Sequence, residues 1–161
     1  VTRSPLGGGT GQRRGGCRAL EPCCSRRAAG PGEMNNGMIV HALAVAGGAI
    51  CGAWLRWQAA VWLNPVWGGF PLGTLCVNLT GGFLAGVAFV YFGRTPNETW
   101  RLLVVTGGLG GLTTFSSFSA ESLALIEKGR PEMALAHTAA HVLGALACAA
   151  LGARMARHWW A

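Results

Sequence analysis

The chain reads as an all-α membrane protein. It has four transmembrane helices, the third of them broken; the charge balance of its loops adds the expectation that two copies pair as an antiparallel (dual-topology) homodimer. Three observations predict the four-span fold. The 161 residues are 51% hydrophobic and 12% charged, whereas a soluble domain carries roughly 25% charged residues. Four apolar stretches have lengths near the ~20 residues that cross a bilayer. The third stretch, 100–126, holds GGLGGLTTFSSFS at 107–119, with four glycines, two threonines and three serines at mid-span.

Before the first span lies a basic segment, 1–33. It contains six of the thirteen Lys and Arg residues (Arg3, Arg13, Arg14, Arg18, Arg26, Arg27) and no apolar run. Such a composition buries too little surface to offset ordering entropy. The segment is therefore expected to be a disordered tail, or an artefact if translation starts at Met34 or Met38. A secretory signal is not expected, because no apolar stretch follows the basic start directly. Nucleic-acid binding is not expected either, because no aromatic residue is interleaved with the arginines. Cys17, Cys23 and Cys24 lack zinc-site spacing. The four-span membrane domain is expected over 34–161.

Span one is expected over 38–55, closing at Trp54, Arg56 and Trp57. Span two is expected over 70–92, opening at Phe70-Pro71 and closing at Tyr91. Span three starts at Trp100 and Arg101 and ends at Glu127-Lys128. Span four is expected over 133–153, followed by Arg154, Arg157, Trp159 and Trp160. All seven tryptophans fall at span ends or in the loop after span one, at Trp62 and Trp67. That is the aromatic belt of the two water interfaces. Short loops make antiparallel packing of sequential spans the expectation.

The break in span three is the functional signal. Hydrocarbon offers no partner to loose N–H and C=O groups, so a broken helix must be buried in protein or line a wet cavity. Transporters place binding sites at such breaks. Glu121, just past the break, is the only acid placed inside a span, and an intramembrane acid is a functional candidate by default. Small residues are spaced for close helix contact at Gly48 and Gly52, Gly82 and Gly86, and Gly107 and Gly111. Cys51, Cys76 and Cys148 are expected to be buried small hydrophobes. His137 and His141, at i and i+4, could share a face and hold zinc, but no third ligand stands near them in the sequence. Pore lining or hydrogen bonding in the core is the expectation for both. Ser116, Ser117 and Ser119 have no recognisable activating base, so no enzyme is expected.

Charge placement bears on assembly. Without the tail, the side holding both termini carries Arg94, Arg101, Arg154 and Arg157, and the opposite side Arg56, Lys128 and Arg130. Four against three is too small a bias to set an orientation. With the tail the balance is ten against three, which would fix the N-terminus inside. Four spans are also thin for enclosing a pore, and two inverted copies would form the arrangement that larger carriers build by duplication.

Three motifs, GAICGAWLRW (48–57), GTLCVNLTG (73–81) and GGLTTFSSFSAE (110–121), resemble in order and context the Fluc or CrcB fluoride channel family. The resemblance extends from Met38 to about Arg157. It implies a dual-topology homodimer carrying fluoride passively out of the cell through two pores at the subunit interface. It implies a sodium ion (Na+) at the dimer centre, held by backbone carbonyls of Gly110 and Thr113. Phe115 and Phe118 match the paired pore phenylalanines and Asn78 the pore asparagine. Thr114, Ser116, Ser117 and Ser119 match polar positions around them. Thr74 and Glu121 match polar positions near a pore mouth, and Arg56 the arginine at a vestibule. Span four departs from the family, offering His137, Thr138 and His141 in place of a Ser or Tyr track. The partners implied are fluoride, a second copy and the lipid bilayer of a prokaryotic inner membrane.

Residue chemistry agrees with these roles. Asn, Ser and Thr can donate hydrogen bonds to an anion, ring edges are positive, and no cation sits within a span to trap fluoride. The absence of an acid within 107–119 suits a monovalent cation better than calcium. The competing readings are a proton-coupled small multidrug-type exporter, which needs a carboxylate deep in span one, and a non-transporting structural membrane protein, which needs no polar break.

Overall fold

The computed structural model describes residues 31–66 and 70–160, and these are all helical or in short connections. The basic tail with its cysteines lies outside the described residues as far as residue 30, as does Trp67. Among the described residues four stretches are long and apolar enough to cross a membrane: Asn36–Val66, Leu72–Arg94, Glu98–Glu127 and Pro131–Trp159.

Helix α1 (Pro31–Leu63) outlasts the expected 38–55 span by two turns at its C-terminal end. Trp54, Arg56 and Trp57 therefore lie inside the helix. Arg is a good helix former and Trp an adequate one, and Gln58-Ala-Ala continues the run. The first strong stop is Asn64-Pro65, since the residue before proline is pushed out of helical geometry. A single 3₁₀ turn, Asn64–Val66, follows. The Asn64 Oδ1 then accepts the Gly73 N–H at 2.8 Å, tying this corner to the start of α2 (Leu72–Arg94).

The third span is composite. A short α3 (Glu98–Arg101) is capped by Asn97, whose side chain accepts from the Trp100 N–H at 3.1 Å. A π-helical stretch, Leu102–Leu109, and a single turn α4 (Gly110–Leu112) continue it. Thr113 (φ −78°, ψ 154°) and Thr114 (φ −149°, ψ 116°) are extended. Helix α5 (Phe115–Glu127) starts with Thr114 as its N-cap. It ends in a Schellman motif: Gly129 adopts φ 70°, its N–H donates to Ile126 O at 2.9 Å, and the Arg130 N–H donates to Leu125 O at 3.0 Å. Pro131 then opens α6 (Pro131–Trp159) at the position where a missing N–H costs nothing.

Packing follows the glycines and differs from the expected sequential pairing. The most extensive contacts join α2 to α6 and α1 to the π-helical stretch, that is, alternate spans. A Cβ at Gly48 would collide with the backbone of Leu103 and Gly108, and one at Gly52 with that of Gly108 and Leu112. In the same way Gly82 meets Ala145, Gly86 meets Ala149, and Gly152 meets Phe83. From Gly48 to Gly52 and from Gly82 to Gly86 the partner's residue numbers rise as well, so these pairs run parallel. Backbones approach most closely where a glycine on one helix faces the bare backbone of the other, and that contact outweighs adjacency in the chain.

The enclosed core is small. Val77, Val90, Leu109, Phe118 and Leu125 are buried, while Phe89, Phe115, Leu135 and Ile50 stand 77%, 77%, 72% and 71% exposed. Cys51 and Cys76 are exposed free thiols, contrary to the expectation of burial, and Cys148 is half-buried. On a helix whose outer face is apolar, a small hydrophobe is as well accommodated outside as in.

Candidate functional site

The polar residues of span three converge on the extended pair Thr113–Thr114. Asn78, from α2, holds Thr114 by both backbone groups. Its Oδ1 accepts the Thr114 N–H at 2.8 Å, and its Nδ2 donates to the Thr114 carbonyl at 3.1 Å. The same Nδ2 lies 3.0 Å from His141 Nδ1. Because the backbone fixes which end of the amide is which, His141 Nδ1 must be the acceptor, and both Asn78 amide protons are committed. Gly81, one turn later on α2, makes this reach feasible: a Cβ there would strike the Thr113 methyl group.

This clamp has a consequence for two carbonyls. In an unbroken helix the Thr114 N–H would go to Gly110 O and the Ser117 N–H to Thr113 O. Here the first goes to Asn78 Oδ1 and the second to Thr114 Oγ1 at 3.2 Å. Gly110 and Thr113 are thus the two residues whose carbonyls lose their regular donors to side chains. They are also the two that the family resemblance assigns to sodium.

The hydroxyls are arranged around the cap. Thr114 Oγ1 contacts Ser116 Oγ at 3.2 Å and Ser117 Oγ at 3.1 Å. The Ser119 hydroxyl donates to Phe115 O at 2.9 Å. Phe118 is buried against both histidines, with ring centroids 5.6 Å from His137 and 4.9 Å from His141. Phe115, 5.3 Å from Phe118, points outward with Ser116 and Ser119.

Two cavities divide the predicted residues. The larger, about 480 Å³, is lined by Asn78, Gly110, Thr113, Thr114, Phe115, Phe118 and His141, among apolar neighbours. The smaller, about 290 Å³, brings together Arg56, Thr74, Glu121, Thr114 and Ser117. All three residues expected at a vestibule therefore share one cavity. Ser116 and Ser119 line neither.

A family model described as CrcB-like protein, Camphor Resistance (CrcB), matches residues 43–153. The chain belongs to this CrcB-like family. It is 47% identical over 117 residues to the fluoride-specific ion channel FluC of Pseudomonas putida (strain W619), covering 71% of this chain and 92% of that one. Against the protein of the same name from Variovorax paradoxus (strain S110) the identity is 50% over 120 residues, 73% and 94% of the two chains. Against that of Acinetobacter baumannii (strain AYE) it is 43% over 119 residues, 73% and 93%. With its four membrane-capable helices, the chain is a multi-pass membrane protein of prokaryotic type.

Sequence reasoning about this CrcB-like chain missed the surroundings of Glu121. The Thr74 hydroxyl donates to Glu121 Oε1 at 2.5 Å. Its other oxygen, Oε2, stands 3.6 Å from His137 Nε2. Glu121 is thus the third residue beside His137 and His141 that spacing alone did not supply. It lies on a different span, and only the α5–α6 packing brings the three together.

Proposed function

We propose that the chain is a passive, fluoride-selective ion channel that lets fluoride leave the cell and so lowers its cytoplasmic concentration. The observation that carries this reading is the identity of 43–50% to proteins named fluoride-specific ion channel, along more than nine-tenths of their length. In this reading span three is broken at Thr113–Thr114, and two copies pair in opposite orientations with a pore on each side of their interface. The exposure of Phe115, Ser116, Ser119 and Gly110 on a single subunit supports a partner that covers them.

Fluoride is small and strongly hydrated, so a pore must replace water with donors. The hydroxyls of Ser116 and Ser119, the ring edges of Phe115 and Phe118 and the N–H of His141 are available for that task. Asn78 acts mainly by holding Thr114, since its amide protons are already engaged. Arg56, in the smaller cavity, draws the anion to the mouth without standing in the apolar passage, where a cation would bind fluoride too tightly for exit. Sodium, held by the Gly110 and Thr113 carbonyls, would supply a fixed positive charge at the dimer centre. Carbonyl ligands without a carboxylate suit that monovalent ion.

Neither alternative gains a supporting observation. Residues 34–63 contain no acid for proton-coupled export, and a purely structural protein would have no need of the Asn78–Thr114 clamp.

The test is efflux from liposomes holding the purified protein, with fluoride and chloride compared on ion-selective electrodes. Rapid fluoride release without chloride release is expected. Equal release of both, or none from folded dimeric protein, would defeat the reading.

A further inference from the structure

We infer that Glu121, His137 and His141 form a binding site for one borderline-soft divalent cation of the zinc class, and that its occupation arrests anion passage. One oxygen or nitrogen from each of the three residues lies within 4.8 Å of the others. His137 and His141 are 0% and 4% exposed. Glu121 Oε2, His137 Nε2 and His141 Nε2 are buried, and none has a hydrogen-bond partner among the described residues. Buried polar atoms are rarely left so, and three on neighbouring residues mark a shared missing ligand. The Glu121–His137 separation of 3.6 Å is too long for a shared proton to satisfy both.

Two of the three side chains are fastened at the far end: Glu121 Oε1 accepts from Thr74, and His137 Nδ1 meets Ser122 Oγ at 3.0 Å. Anchoring of the other ring nitrogen or oxygen is how proteins orient metal ligands. His141 Nδ1 is held by Asn78 in the metal-free state alone. Two imidazoles and one carboxylate form a known zinc donor set that leaves a fourth position open. A three-residue set with nitrogen donors favours zinc, copper or nickel over calcium or magnesium. The approach is from the larger cavity, whose lining has no charged side chain, and His141 stands at its wall.

Occupation has a structural consequence. Without metal, the His141 proton must sit on Nε2, because Nδ1 accepts from Asn78. Coordination through Nε2 moves that proton to Nδ1 and breaks the bond to Asn78. The metal therefore loosens the clamp on Thr114 as well as placing a double positive charge between the two cavities. Block of fluoride passage rests on the channel reading; binding of the metal does not.

The experiment titrates cobalt(II) into the purified full chain in detergent. The expected result is one equivalent bound, with the intense visible absorption of four-coordinate cobalt, bleached by zinc. His141→Ala and Glu121→Gln remove ligands themselves and should weaken binding by at least the roughly 10- to 100-fold that loss of an outer-shell partner costs. A His41→Ala/His158→Ala double variant should bind as the parent does. Asn78→Asp, whose carboxylate can accept from Nδ1–H, should bind more tightly. If the triad variants fail to fold, X-ray absorption of zinc bound to the parent protein should still report two imidazoles and one carboxylate. Absence of binding, or binding unchanged in the triad variants, overturns the site. In liposomes, zinc should slow the parent's fluoride efflux severalfold, and the ratio of rates with and without zinc should return to near unity in His141→Ala. Efflux indifferent to zinc would overturn the block while the cobalt spectrum stood. A lack of efflux in zinc-free liposomes would instead defeat the channel reading and leave the metal site intact.

Discussion

Asn78 joins three groups with one amide: the Thr114 N–H, the Thr114 carbonyl and His141 Nδ1. Interhelical hydrogen bonds in membranes average only about 0.6 kcal/mol each, so losing three costs about 2 kcal/mol. Asn78→Ala should therefore still fold. What it loses is the extended geometry of Thr113–Thr114, and fluoride efflux should drop by about tenfold, equivalent to 1.4 kcal/mol on the barrier. Liposome efflux and gel filtration of the same preparation check both halves, and unchanged efflux would remove the clamp from the transport path. Phe118→Ile tests the neighbouring contact. It removes the ring packed on His137 and His141, and aromatic pairs contribute about 0.5–1.5 kcal/mol. A lower melting temperature and slower efflux are expected together; full activity would show that the ring only fills space. Asn78, Thr114 and Phe118 are legible as local motifs because their residue types and spacing are unusual for a lipid-facing helix. Their partners are not legible, because each contact crosses between spans. Thr74 meets Glu121 across 47 residues and Asn78 meets His141 across 63.

At the scale of the helices, small residues decide the fold. Alanine normally improves a helix over glycine by up to about 1 kcal/mol. At Gly52 that gain is outweighed, because the new Cβ would meet the backbone of Gly108, Gly111 and Leu112, which cannot rotate aside. Overpacking of this kind costs about 1–3 kcal/mol. At Gly93, near the end of α2, nothing lies within 4 Å. Gly52→Ala should lower the thermal midpoint in detergent, and Gly93→Ala should leave it unchanged or raise it. The same sign at both positions would refute close backbone contact as the cause. The glycine pairs are visible in the sequence. Which helices the glycines join is not, because GxxxG names a face and not its partner. The end of α1 is hidden for a different reason: Trp and Arg mark a water interface, whereas only the Asn64-Pro65 pair stops the backbone.

At the scale of the whole molecule, orientation depends on very few charges. Arg94, Arg101, Arg154 and Arg157 stand on one side of the spans and Arg56, Lys128 and Arg130 on the other. The positive-inside rule acts on Lys and Arg in short loops near span ends, and a difference of one gives it almost nothing to act on. A chain starting at Met34 should therefore insert both ways, which is what an inverted homodimer requires. The full 161 residues add six arginines to the side of the termini and should insert with both ends in the cytoplasm. Two copies so oriented are parallel and cannot form the inverted pair. A reporter fused to Ala161 separates these cases, since its signal reads which face the C-terminus occupies. Signal on both faces from the shorter chain, and on the cytoplasmic face alone from the longer, is the expected pattern. Fluoride efflux should then follow the shorter chain. A single face from the shorter chain would defeat the antiparallel assembly, and with it any pore that needs the outward-facing Phe115 of one copy to meet an inverted partner.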